Sequence, residues 1–85
     1  MHDSIVCEER HSFVVFVRNG ETFLTFLLGG ALEVDYTVQL TQEERDRVAN
    51  DPQAAARLVI SLRSNFSLLQ RRKLEAPIWP TPSPG

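Results

Sequence analysis

The sequence predicts an α+β domain: an antiparallel three- to four-stranded β-meander, then two helices packed on one sheet face, then a proline-rich C-terminal tail. Three observations carry this expectation. Two runs rich in Val, Phe and Leu, 11–18 and 21–28, flank an Asn19-Gly20 pair. Residues 32–40 alternate apolar and polar. Residues 41–64 change to helix-start residues and an apolar period near 3.6. Period two marks a half-buried strand and period 3.6 an amphipathic helix.

The elements follow in order. Residues 4–9 (SIVCEE) have Ile5, Val6 and Cys7 at their centre and form a weak strand candidate. Residues 11–18 (HSFVVFVR) form a strong strand, because branched and aromatic side chains fit a pleated surface. Asn19-Gly20 is a hairpin signal, since a type I′ turn needs positive φ at both central positions. Residues 21–28 (ETFLTFLL) return. A two-residue turn then pairs Arg18 with Glu21, Phe16 with Phe23, Val15 with Leu24 and Phe13 with Phe26. Phe13, Val15, Val17, Thr22, Leu24, Phe26 and Leu28 share the more apolar face, which is assigned to the core. For Leu32, Val34, Tyr36, Val38 and Leu40 to join that face, Leu32 should sit opposite Leu28 across a three-residue loop, Gly29-Gly30-Ala31.

Thr41 and Glu44 make a capping box and open a short polar helix running to about Ala49. Asp51-Pro52 ends it and opens a second, since Asp caps well and Pro suits the first helical position. That helix runs to about Ser64, with Ala55, Leu58, Val59 and Leu62 on one stripe that Phe66 extends. The stripe covers the apolar sheet face. Residues 66–75 read equally as helix or extended chain. The tail, 76–85, holds four of the five prolines and is expected to be polyproline-like or disordered. Residues 1–75 are thus one domain and 76–85 a tail.

Composition narrows the function classes. Cys7 is the single cysteine, so no internal disulfide forms, which favours a reducing, cytoplasmic setting. The first residues lack the basic segment and apolar run of a signal peptide, and no apolar run reaches membrane-spanning length. Charge is uneven: residues 1–55 hold ten acids and four Arg (−6), and residues 56–85 hold five basic residues and Glu75 (+4). That balance points away from nucleic acid and leaves the acidic part suited to a basic partner. The Arg71-Arg72-Lys73 triplet reads as a solvated helix end. Gly29-Gly30 opens no helix and is no phosphate loop.

No catalytic, metal or cofactor constellation emerges. His2, Cys7 and His11 are soft ligands at spacings that match no zinc pattern. Cys7 with His11 lacks any sign of an orienting third group or an oxyanion hole. The expectation is therefore a non-enzyme without cofactor. The second sheet face supplies the candidate partner-binding residues: Phe16, Phe23 and Leu27, with Glu33 and Asp35 as an acidic rim. An apolar patch rimmed by charge is typical of an interface when exposed. The alternative is that the C-terminal segment covers it. Trp79, between Ile78 and Pro80, is the sixth candidate: it either anchors a partner or folds back over Phe16 and Phe23.

Residues 32–63, LEVDYTVQLTQEERDRVANDPQAAARLVISLR, resemble small bacterial immunity-type proteins of polymorphic and contact-dependent toxin systems. The likeness lies in an alternating strand ending Leu-Thr, then Glu-Glu, then Asp-Pro, then a Leu-rich helix. It implies a protein that neutralises a toxin domain by direct binding, and it transfers no residue roles. Self-association through the same face or an edge strand is the second expectation. A small enzyme using Cys7, His11 or the carboxylates is the third.

Overall fold

The computed structural model describes residues 3–9, 12–28 and 34–80. Four strands, β1 (Ser4–Glu9), β2 (Phe13–Arg18), β3 (Glu21–Leu27) and β4 (Asp35–Gln39), form one antiparallel sheet in sequence order. Three helices follow: α1 (Gln42–Asn50), α2 (Pro52–Ser64) and α3 (Phe66–Arg72). The chain is an α+β fold, as its patterning implies.

The β2–β3 hairpin has the expected register, from Arg18 opposite Glu21 to Phe13 opposite Phe26. Asn19 and Gly20 carry positive φ, 53° and 79°, as a turn matched to strand twist requires. The expected β3–β4 register is slid by two residues. Leu28 donates to the Val34 carbonyl and Leu27 faces Asp35, so Val34 takes the place assigned to Leu32. The Gly29-Gly30-Ala31 loop itself lies outside the described residues. A two-residue slip preserves the face of every side chain, so Tyr36 and Val38 still reach the expected core.

β1 is a genuine strand with one irregularity. Ile5 faces Phe16 whereas Cys7 faces Val15, leaving Val6 as the extra residue of a bulge. The bulge moves Cys7 onto the helix side, where it packs against the core. Burial pushes the Cys7 thiol pKa up, away from the thiolate form that a nucleophile needs.

The main core lies between the sheet and the helices. Phe13, Val15, Leu24, Phe26 and Val38 meet Val48, Ala55, Val59, Leu62 and Leu69. The expected extension of the α2 stripe to Phe66 does not form: Phe66 is half exposed. Asn65 leaves helical geometry (φ −129°, ψ 82°), and its side chain caps a new helix by accepting from the Leu68 amide. The break resets the phase, and Leu69 takes the buried position instead.

The capping box closes as expected: the Thr41 hydroxyl accepts from the Glu44 amide at 3.2 Å, and the Glu44 carboxylate accepts from the Thr41 amide at 2.9 Å. Glu44 does more than cap. Its carboxylate takes both arms of the Arg72 guanidinium, at 2.9 and 2.7 Å, tying α1 to α3. Arg72 also donates to the Gln39 carbonyl on β4. The Arg72 bonds hold the Glu44 carboxyl below its ordinary value of 4.5. The sign follows: a depressed folded pKa adds stability above about pH 4.5, and that stability is lost as pH falls through the lower folded value. Glu44→Gln keeps the capping geometry but removes the charge. It should lower stability by about 1–2 kcal/mol at neutral pH, and the difference in urea midpoint from the wild type should shrink as pH falls through the depressed Glu44 value.

Candidate interaction surface

The second sheet face is where the sequence placed its candidate site, and the structure closes most of it. Phe16 is fully buried and Phe23 is 7% exposed. With Val14 they form a second, smaller core under Leu74 and Ile78. Of the two arrangements expected for this patch, open or covered by the C-terminal segment, the covered one is found, and Phe16 and Phe23 are not an exposed binding surface. Their rings stack tilted, with centroids 5.7 Å apart.

The segment is held by hydrogen bonds as well as by apolar contact. The Leu74 amide donates to the Thr37 carbonyl at 2.8 Å, and Lys73 bridges to Val38. Further on, the Ile78 amide donates to the Thr37 hydroxyl at 2.8 Å. Thr37 and Thr25, paired across β3 and β4, share a hydroxyl contact of 2.7 Å, and the Thr25 hydroxyl reaches the Ile78 carbonyl. One assignment uses each donor once: the Ile78 amide to Thr37, the Thr37 hydroxyl to Thr25, and the Thr25 hydroxyl back to the Ile78 carbonyl. The cycle satisfies both backbone groups of Ile78 against two buried threonines. Thr37 is only 1% exposed for this reason. Residues 76–80 are accordingly a docked strap. The rest of the proline-rich tail, 81–85, lies outside the described residues.

The remaining candidates do converge. Leu27 faces Asp35 across β3 and β4, and the Asp35 carboxylate accepts the Trp79 indole N–H at 2.6 Å. That bond fixes the ring while leaving Trp79 45% exposed. Glu33 lies outside the described residues. Trp79 and Pro80 form one wall of a shallow groove of about 230 Å³ at the end of the sheet. Val14 and Leu27 contribute apolar surface, and Glu8 and Glu9, from the end of β1, supply carboxylates. The sequence reading missed these two glutamates. Their signal was an acidic pair closing a strand candidate, legible as part of a site only once β1 is placed beside β2.

A second groove, about 200 Å³, opens between α1 and α2. Arg47 and Arg57 on its rim are engaged by Glu43 at 3.1 Å and Asp51 at 2.7 Å. Arg57 holds the Asp51 carboxyl below its usual range. Those pairs neutralise the rim, so this groove shows no charge preference. His2 and His11 lie outside the described residues, and so does any pairing of Cys7 with them. Among the described residues, no cluster of three or more His, Cys, Asp or Glu could hold a metal ion, and no helix is long and apolar enough to cross a membrane.

Comparison with protein-family models, with curated proteins and with solved structures found no match.

Proposed function

We propose that this chain is a protein-interaction module that acts by surface complementarity, without chemistry or cofactor, in a reducing cytoplasm. The observation that carries the reading is the posture of Trp79. Its indole is pinned by Asp35, yet nearly half its surface faces solvent beside an apolar, acid-rimmed groove. A rigid, part-exposed Trp binds with little ordering entropy left to lose, which is what an interface anchor needs. Glu8 and Glu9 favour a partner that presents a basic segment. The resemblance of residues 32–63 to immunity-type proteins makes a toxin domain the partner class to test first. The raised thiol pKa of Cys7 supports the non-enzymatic reading.

The experiment is affinity purification of the tagged chain from its native host, run beside Glu8→Lys/Glu9→Lys. Both glutamates are exposed, so the fold should survive. A stoichiometric partner retained by the wild type and lost by the double variant is the expected result. Toxicity of that partner when expressed alone would support the immunity reading. Equal capture by both chains would remove the groove from the account.

A further inference from the structure

We propose that a second copy of this chain pairs with β1, edge to edge and antiparallel, to make a continuous eight-stranded sheet. The two edges of the sheet are treated differently by the chain itself. The outer edge of β4 is occupied: Lys73 bridges to Val38, Leu74 donates to Thr37, and the Arg72 guanidinium bonds the Gln39 carbonyl. The outer edge of β1 has no strand beside it among the described residues. Unpaired backbone along a strand edge is a template for another strand.

The side chains on that edge agree. Ile5 is 48% and Val6 41% exposed at the middle of the strand, whose charged side chains, Glu8 and Glu9, are confined to one end. Charge selects the occupant. The acids Glu8 and Glu9 sit at one end of β1, and the other end abuts Arg18, whose guanidinium grips Asp3 at 2.8 and 2.7 Å. Parallel pairing of two copies would set acids against acids. Antiparallel pairing about Val6 sets Val6 against Val6, Ile5 against Cys7 and Glu8 against Ser4, and brings each Glu9 to the Asp3 of its neighbour, whose charge Arg18 already neutralises. A two-fold axis through Val6 makes the contact closed and self-complementary. The bulge at Val6 shortens the regular pairing, so the contact is small and the association weak. The axis stands perpendicular to the sheet, so both helical layers share one face and the two Trp79 grooves lie on the other, at opposite ends.

Sedimentation equilibrium from about 10 μM to about 1 mM tests this. The wild type should move from the chain mass of 9.6 kDa toward twice that value as concentration rises. Val6→Lys puts two ammonium groups face to face and should weaken association by about tenfold or more. Ile5→Lys is the second variant, and far-UV circular dichroism verifies that each retains its fold. Val6→Cys in a Cys7→Ser background should form a covalent dimer on mild oxidation, because facing residues of an antiparallel pair bring Cβ atoms within disulfide reach. Trp79→Ala should leave the association unchanged, which separates this edge from the partner groove. A wild type that stays single across the range overturns the proposal, as does a dimer that both lysine variants leave intact.

Discussion

Removing residues 74–85 should lower stability by about 3–5 kcal/mol and leave a chain that binds hydrophobic dyes and aggregates. The deletion takes away Leu74 and Ile78, the two side chains that cover Val14, Phe16 and Phe23. It also removes the Leu74 amide bond to β4. Two buried phenylalanine rings would then face water on a sheet whose opposite side is already committed to the helices. A domain of this size has a total margin of only about 5–15 kcal/mol, so the loss is a large share of it. Urea midpoints with a far-UV readout measure the change. A truncated chain with an unchanged midpoint would mean that the strap contributes nothing to the fold.

The second large effect is expected at the threonine pair. Thr25→Val and Thr37→Val conserve volume but delete hydroxyls. Thr25→Val alone removes the nearer donor to the Ile78 carbonyl, and the Thr37 hydroxyl, at 3.3 Å, is placed to compensate in part. Thr37→Val alone strands the Ile78 amide. The double variant leaves both backbone groups of Ile78 unbonded in a part-buried site, at about 1 kcal/mol or more for each. The two losses should not add, because the hydroxyls form one cycle with the same backbone residue. A double-mutant cycle on urea midpoints should therefore show coupling. Strict additivity would show that the hydroxyls act independently. A double variant as stable as the wild type would show that the strap is held by apolar contact alone.

Local signals were legible and distant ones were not, for a common reason. The Asn19-Gly20 turn fixes its own register because the backbone conformation it needs is specific to those residue types. The capping box at Thr41–Glu44 and the Asp51-Pro52 junction are equally local. By contrast, Gly29-Gly30 announces a turn without fixing its length, so the β3–β4 register slipped by two while the faces stayed right. Phe66 continued the apolar period of α2 on paper, but Asn65 offered its side chain as a cap and restarted the helix. The strap was least legible. In the sequence its docking face is only one of two alternatives, with Trp79 as the covering residue, whereas Leu74 and Ile78 cover Phe16 and Phe23, and the anchor joins Thr25 to a residue 53 positions away. For the same reason the candidate site divided. Leu27, Asp35 and Trp79 came together, Phe16 and Phe23 passed under the strap, and Glu8 and Glu9 entered from a strand whose pattern was too weak to orient.

The position of the strap decides which surface remains for a partner, so its docking is the claim on which the rest depends. Amide hydrogen exchange of the wild-type chain at neutral pH measures it directly. The Leu74 and Ile78 amides, bonded to the Thr37 carbonyl and hydroxyl, should be protected well above the random-coil rate, approaching the amides of β3. Protection of both would support a closed sheet face, with the Trp79 groove left at its margin. Exchange of both at the random-coil rate would contradict the account and return Phe16 and Phe23 to the surface as the binding face.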